Sequence, residues 1–586
     1  MSMRIELSGT RQRILVFFIV LGYSALVFQL LNLMWIYREV HLKQANRQHH
    51  LTLDIQPLRG IIRDRNGKDL VSNLKAPSIY AVPRILFEDD RRRIASRVSK
   101  ILGIPHGKLD SRLTRSKSFI WLKRKVSEGE AKEIKKIGNG ALGVLEEYQR
   151  VYPFGEFLSQ VLGFTNIDNE GIEGVELTLD RHLRGVSGRK ETVRDARGRQ
   201  IKAFEKSYLP ALDGHNIFLT IDQQIQYLTE KALDEAYRKW HAKGATAIVM
   251  NPETGEILAI ANRPTYDPNN FKYANAANRR NRAITDMYEP GSIFKIATIS
   301  AALDLGYITP QSVFFCHNGE MSYGKGRILH DVHPYGNLSV MDVMVKSSNI
   351  GTVKIGLKMK PEEIDKYISL FGFGKATGID FPGEARGFIR NSKDWSGTSL
   401  YNIPIGHEVL VTPLQMVRML SVVANGGKLV KPYLIKRIED QAGVIIFKSK
   451  QEASVQVIKS ETAEEIKKML VQVVERGTGQ TAKIDGFQVG GKTGTAQKVV
   501  GKTYSHDKYM SSFIGFAPAD KPRYAMLVVL DEPRPLYYGG TVAAPVFKTV
   551  MESVLRLDGF EIPDKKKETS TPINEEDLKD MVPQGH

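Results

Sequence analysis

Cysteine is nearly missing from this chain. Cys316 is the only one in 586 residues, which excludes an intrachain disulfide and any cysteine-built metal cage. A lone thiol of this kind is expected as a small buried apolar side chain. Clustered basic charge is missing too: the net charge is +18, yet no basic helix and no aromatic-interleaved patch collects it. It reads as a solvated basic surface, with no nucleic acid as partner. Metal ligands at a recognisable spacing are lacking. His330-Asp331-Val332-His333 has no third ligand in register and is read as a loop, and neither a metal nor another cofactor is expected.

What is present begins with one long apolar run, 14–36, which carries no charge. At 1.5 Å per residue it is about 34 Å long, enough to cross a hydrocarbon layer of roughly 30 Å. The run exceeds the apolar core of a cleaved signal peptide and ends in Met34-Trp35-Ile36-Tyr37-Arg38, without a small-x-small cleavage site. Trp35 and Tyr37 suit the membrane interface. Basic residues flank both sides and barely decide the orientation. N-terminus inside, with the remainder outside, rests partly on the chemistry of the later domains. Gln29 and Asn32 are polar groups in the span and are candidates for bonding to another membrane helix.

A chain of this length suggests three or four units, at roughly 100–200 residues per domain. Residues 37–60 read as a polar helical stalk leading to Arg59-Gly60-Ile61-Ile62-Arg63-Asp64-Arg65-Asn66-Gly67, where Asn-Gly marks a tight turn. Residues 80–210 mix short strands, basic helices and turns, among them 150–155 and 171–176, and show no catalytic spacing. From about Asn216 the texture changes. Thr220-Ile221-Asp222-Gln223-Gln224 is a capped start for a helix over 225–240; 245–250 and 256–261 are β runs around a hairpin at Asn251-Pro252-Glu253-Thr254-Gly255; 509–517 and 524–531 are late strands. This describes an α+β domain whose antiparallel sheet is assembled from both ends, with helices inserted between. The expected organisation is a cytoplasmic tail (1–13), a transmembrane helix (14–36), an α+β module (37–214), a catalytic domain (215–557) and a charged, disordered tail (558–586).

Three short elements carry chemistry. In Glu289-Pro290-Gly291-Ser292-Ile293-Phe294-Lys295, Pro and Gly end what precedes and a helical run comes next over 296–305. Ser292 is thus near a helix N-terminus, with Lys295 one turn along on the same face and its amine in reach of the hydroxyl. Ser-x-x-Lys alone is common by chance. Ser347-Ser348-Asn349 after an amphipathic run (340–345), and Lys492-Thr493-Gly494-Thr495 leading into a β-type stretch, make the combination specific. A serine hydroxyl needs a base, and lysine serves only when burial or a neighbouring positive charge lowers its pKa. Lys492 would supply that charge. Ser347 can relay a proton, Asn349 can hold a substrate amide, and the hydroxyls of Thr493 and Thr495 around Gly494 suit a substrate carboxylate. Backbone N–H groups of Ser292 and Thr495 can form an oxyanion hole.

Residues 486–493 also fit the phosphate-loop pattern G-x-x-x-x-G-K-[ST]. That reading needs a helix opening at Lys492-Thr493. Gly494 comes at once, and the next residues are poor helix formers, so it is set aside.

These elements together resemble the class B penicillin-binding proteins. The resemblance covers nearly the whole chain: the anchor, Arg59-Gly60-x-Ile62-x-Asp64-Arg65-x-Gly67, Gly171-x-x-Gly174-Val175-Glu176, and the domain from 215 to 557. Asn281-Arg282-Ala283-Ile284-Thr285-Asp286-Met287-Tyr288 before the nucleophile is similar to the septal, cell-division members. So are Phe371-Gly372-Phe373-Gly374, Thr377-Gly378-Ile379-Asp380 and the Gly-rich segment 539–547. Gly406-His407-Glu408 departs from a Gly-x-Gly common in relatives. The resemblance implies a penicillin-binding transpeptidase fold on an elongated pedestal or dimerisation module. It implies D,D-transpeptidation of peptidoglycan stem peptides, delivered on a lipid-linked precursor, through a serine acyl-enzyme that β-lactams also form. Implied partners are a polytopic membrane glycosyltransferase and divisome scaffold proteins at the division site. Other readings are an elongation-type transpeptidase, a carboxypeptidase or a catalytically weak penicillin-binding sensor. A β-lactamase is disfavoured because no Glu-x-x-Leu-Asn-like segment lies between Ser347 and Lys492, and a bifunctional enzyme because 37–210 lacks acidic glycosyltransferase motifs.

Overall fold

The computed structural model describes residues 9–39, 50–114, 119–194, 200–324, 326–501 and 503–560. Contacts divide the chain into two compact units that do not follow chain order. The first takes 1–60, 73–150 and 184–215; the second takes 61–72, 151–183 and 216–586.

In the first unit, helix α1 (Gly9–Leu31) continues through a π-helical turn, Asn32–Ile36. Together they form one apolar helix of 28 residues, long enough to cross a membrane. The helical stalk is corrected at 50–55. His50–Ile55 is a strand, paired antiparallel with Gly188–Arg194, which pairs in turn with Gln200–Leu209. Leu51, Leu53 and Ile55 recur with period two, which is a strand signal. Residues 38 and 39 are helical, and 40–49 of the stalk lie outside the described residues. A separate core forms where the sheet of Ile120–Lys123, Ser78–Ala81 and Leu142–Leu145 packs Ile79 and Leu122 against Ile94, Val98 and Leu102 of the helix Glu88–Leu102.

The second unit is built on a five-stranded antiparallel sheet. In chain order its principal elements are α2 (Gln223–Lys239), β1 (Gly244–Met250), β2 (Ile257–Arg263), α3 (Lys295–Asp304), α4 (Val340–Lys346) and α5 (Asn349–Gly356). Then come α6 (Pro413–Ala424), α7 (Ser460–Arg476), β3 (Gly490–Val500), β4 (Thr503–Ala517), β5 (Tyr524–Asp531) and α8 (Ala544–Leu557). The strand order is β2-β1-β5-β4-β3. Asp222 caps α2, its carboxylate accepting from the N–H of Gln224 at 3.0 Å. The β1–β2 turn is closed by Asn251, whose side chain accepts from Glu253 N–H at 2.9 Å.

Both faces of the sheet are covered, and the period of two sorts its residues between them. Ala247, Val249, Met526, Val528 and Phe513 face α2 and α8, where they meet Leu233, Phe547 and Met551. Ile248, Met250, Leu527, Val529 and Ile514 face the helical layer containing α3, α6 and α7. Each large side chain buried this way contributes on the order of 2 kcal/mol. Burial on both sides explains why these strands are almost continuously apolar.

The segment 61–72 belongs to this unit through specific bonds. Ile62 and Arg63 pair in parallel with Ile217 and Phe218. Asp64 is fully buried, its carboxylate accepting from the N–H groups of Asn66 and Lys68 at 2.8 and 2.9 Å. Arg65 pairs with Glu256 at 3.0 Å. Of the expected disordered tail, 561–586 lie outside the described residues.

Candidate active site

Ser292 lies in a single 3-10 turn, Gly291–Phe294, that runs straight into α3 at Lys295. The turn rests on β3, and the fit depends on glycine. A Cβ on Gly494 would meet Ser512 Oγ at 2.4 Å and the Pro290 carbonyl oxygen at 3.2 Å. A Cβ on Gly291 would lie 3.5 Å from the Thr495 carbonyl oxygen, which places the backbone of Ser292 beside Thr495. Among the described residues the Ser292 hydroxyl makes no hydrogen bond, and Ser292 is partly exposed in a cleft of about 780 Å³.

Lys295 is fully buried. Its ammonium donates to the Ser347 carbonyl oxygen at 2.6 Å and to Asn349 Oδ1 at 2.7 Å, with Ser347 Oγ at 3.3 Å. The reach to Ser292 Oγ expected from helical spacing is thus taken up by these acceptors, because a desolvated amine must satisfy its donors. Catalytic hydrogen bonds of this kind commonly tighten only with substrate in place. Ser347 is the hinge between α4 and α5, in the left-handed region at φ +59°. This turn aims its hydroxyl at both lysines, and Lys492, also fully buried on β3, donates to Ser347 Oγ at 2.8 Å. The order Lys295, Ser347, Lys492 is therefore one continuous polar chain.

Burial lowers the Lys295 amine to about 7, with the negative charge of Asp331 acting the other way. Lys492 is pushed well below the ordinary lysine range, first by burial and then by the charge of Lys295. Repulsion between two buried amines acts on both, and it disfavours charging them together. Both amines are thereby biased toward the neutral form.

The third motif lies inside β3 and does not precede it. Lys492, Thr493, Gly494 and Thr495 pair with Ile514, Phe513, Ser512 and Ser511. No helix opens at Lys492-Thr493, which removes the phosphate-loop reading. β3 is the edge of its sheet, so one side of its backbone is available to a peptide. The Thr493 hydroxyl bonds Thr478 Oγ1 at 2.8 Å, and Thr495 Oγ1 accepts from Gly539 N–H at 3.0 Å, which leaves its own proton to donate.

Several residues that shape this site had no signal of their own in the sequence. Asp331, in the segment read as a loop, accepts from Ser348 Oγ at 2.6 Å and from Ile350 N–H at 3.1 Å, capping α5. Asn349 Nδ2 donates to the His330 carbonyl oxygen at 2.9 Å. Ser348 Oγ also lies 3.4 Å from Cys316 Sγ, which is buried. On the other flank, the Gly406-His407-Glu408 departure is a structured clasp. Glu408 takes φ +60° and is held by Arg390, by Ser399 Oγ at 2.7 Å and by Asn402 Nδ2 at 2.6 Å. Its N–H donates to Glu289 at 2.9 Å, and Glu289 also meets His407 Nδ1 at 3.0 Å and the Tyr504 hydroxyl at 3.1 Å. Glu289 is three residues before Ser292, so this network fixes the turn that carries the hydroxyl.

A buried lysine pair bridged by a serine, facing a second serine across the edge of an antiparallel sheet, is the arrangement of serine acyltransferases that use lysine as base. Residues 245–552 match the penicillin binding protein transpeptidase domain, and residues 54–219 the penicillin-binding protein dimerisation domain. The chain belongs to the class B penicillin-binding proteins. It is 35% identical over 565 residues to stage V sporulation protein D of Bacillus subtilis, covering 94% of this chain and 87% of that one. It is 33% identical over 553 residues to the peptidoglycan D,D-transpeptidase FtsI of Escherichia coli, covering 92% and 90%. Penicillin binding protein 3 of Mycobacterium tuberculosis, solved as a complex with ampicillin, superposes with a TM-score of 0.69 at 28% identity, over 88% of this chain and 98% of that one.

Proposed function

We propose that this penicillin-binding protein is a peptidoglycan D,D-transpeptidase of the septal type, and that Ser292 is its nucleophile. The single observation carrying the assignment of roles is the Ser347 hydroxyl held between two buried lysines beside Ser292. Neutral Lys295 takes the proton of Ser292 Oγ as that oxygen attacks the carbonyl carbon of the penultimate D-Ala of a stem peptide. The oxyanion is received by the N–H groups of Ser292 and Thr495; loss of one such donor costs on the order of 3 kcal/mol. As the tetrahedral intermediate collapses, the C–N bond breaks and the proton passes through Ser347, backed by Lys492, to the departing D-Ala amine. The amine of a neighbouring stem peptide then attacks the Ser292 ester, forming the cross-link and regenerating the serine. Asn349 holds the substrate amide; Thr493 and Thr495, around Gly494, hold its terminal carboxylate. β-Lactams acylate the same oxygen.

We take residues 215–557 as the transpeptidase domain, 37–214 as the pedestal or dimerisation module, 1–13 as a cytoplasmic tail and 558–586 as a charged tail. We take the apolar helix, long enough to cross a membrane, as the single anchor of a protein whose catalytic domain lies outside, a reading supported by likeness to FtsI. A place at the division site, a lipid-linked donor, a polytopic glycosyltransferase and divisome scaffold proteins complete the reading, which rests on likeness to FtsI. Full-length protein is expected to be labelled covalently by fluorescent penicillin and to form cross-linked dimers from nascent glycan strands. Covalent labelling of Ser292→Ala would overturn the assignment of the nucleophile. Release of D-Ala without dimers would indicate a carboxypeptidase.

A further inference from the structure

The polar lining of the active-site cleft is one-sided. Lys346, Arg476, His333 and His407 line it, and among the described residues no aspartate or glutamate does. The nearby acids are turned to other work. Asp331 caps α5, and Glu289 is held by His407, Tyr504 and the N–H of Glu408. Asp342 meets Arg476 at 2.8 Å. Burial opposes it, but bonds from Ser339 and Arg476 and the charge of Lys346 hold the Asp342 carboxyl below its usual range. Asp342 is thus taken up by Arg476, and the charge of Lys346 is felt there only at longer range.

The two cations are also well placed. Lys346 directly precedes Ser347, and its ammonium lies over the Tyr335 ring, 5.3 Å from the centroid, with no carboxylate in ion-pair range among the described residues. Arg476 ends α7 two residues before Thr478, whose hydroxyl bonds Thr493. The terminal carboxylate of a D-Ala-D-Ala peptide is already provided for by Thr493 and Thr495. Lys346 and Arg476 are therefore surplus to that group.

We infer that Lys346 and Arg476 receive a second carboxylate of the acyl-donor peptide, upstream of its terminal D-Ala-D-Ala. This inference rests on the transpeptidase reading. The carboxylate has two chemical sources: the side chain of a diamino-diacid third residue, or the free α-carboxylate of a γ-linked glutamate at the second. A lysine-type third residue, which offers an ammonium and no carboxylate, is the poorer partner for a rim with net positive charge.

The test uses full-length protein in detergent and four soluble pentapeptides, with both carboxylates free, one or the other amidated, or both amidated. D-Ala release reads kcat/KM. Amidating the recognised carboxylate is expected to lower kcat/KM about tenfold, as expected for a partly exposed charge-assisted pair, and which amidation does so identifies the source. In Lys346→Gln and in Arg476→Gln the ratio between that peptide pair is expected to fall toward one, whatever the absolute rates. Equal kcat/KM for all four peptides with the unaltered protein overturns the inference and leaves the transpeptidase reading standing, as does a ratio that survives both substitutions. A protein that is labelled by fluorescent penicillin at Ser292 but releases D-Ala from none of the peptides overturns that reading, and the inference with it.

Discussion

In the proposed mechanism, one amine governs the reaction at the scale of single residues. Lys295 can accept the Ser292 proton only when neutral, and burial brings it to about 7. The rate of penicillin acylation is therefore expected to climb between pH 6 and pH 8, with a midpoint near 7. The same shift bears on folding. The folded-state value lies below the unfolded one of about 10.4, so the native state binds fewer protons across that interval, and the contribution of Lys295 to stability rises as pH rises from about 7 to 10.4. Asp331 allows charge and geometry to be separated. Its negative charge raises the Lys295 value, so Asp331→Asn is expected to move the acylation midpoint downward. Asp331→Ala also releases the end of α5 and with it Ser348 and Asn349, and a further fall of about tenfold in the acylation rate is expected from the lost cap and misplaced amide. Stopped-flow acylation across pH reads both effects. An unmoved midpoint in both variants would show that Asp331 has no influence on the base.

At the scale of elements, the range of each interaction decides whether it was legible. The capped helix start at 220–224, the hairpin at Asn251–Gly255, the helix after Ser292 and the two strands of 509–517 and 524–531 are local patterns, and all are present in the structure. The short motifs were legible because their residue types are unusual together, even though 52 residues separate Lys295 from the Ser347 that it touches. Asp331, Thr478 and the Glu408 clasp were not. The bonds that tie them to the site, Asp331 to Ser348, Thr478 to Thr493 and Glu408 to Glu289, span 17, 15 and 119 residues, and nothing in an isolated Asp, Thr or Glu announces that. At 50–55 the alternation of Leu51, Leu53 and Ile55, a period of two, prevails over the polar composition and makes the stalk a strand there. The clasp also explains how a chain without Gly-x-Gly can make this turn. Glu408 bears the left-handed strain of about 1 kcal/mol and offsets it with Arg390, Ser399 and Asn402. Glu408→Ala loses the bonds and keeps the strain, whereas Glu408→Gly loses both. The glycine variant is expected to be the more stable of the two by about 1 kcal/mol, seen as the higher Tm. An alanine variant as stable as the glycine one would show that residue 408 is not left-handed.

The whole molecule joins a membrane helix to an extracytoplasmic acyltransferase, and the helix has features that a bare anchor does not need. Gln29 lies in its last turns, and Asn32 opens the π-helical turn, its carbonyl oxygen accepting from Tyr37 N–H at 3.0 Å. A π-helical turn in a membrane span exposes backbone and side-chain polarity at a defined place, and polar side chains there bond across helices for about 0.6–2 kcal/mol each. A polytopic glycosyltransferase would offer such a partner helix, and coupling the two enzymes would bring newly polymerised strands to the Ser292 cleft. The consequence reaches the cell. The intact chain is expected to restore septation in a bacterium depleted of its septal transpeptidase. The double substitution Gln29→Leu and Asn32→Leu leaves the catalytic domain untouched, so it should insert in the membrane and bind fluorescent penicillin normally, yet co-purify poorly with the glycosyltransferase and restore division weakly. Full co-purification by the double variant would remove Gln29 and Asn32 from the contact surface. Filamentation that persists with the intact, membrane-inserted chain would assign the enzyme to elongation or to a specialised wall. The two outcomes are independent, because the first tests the helix and the second tests where in the cell cycle the acyl-enzyme is used.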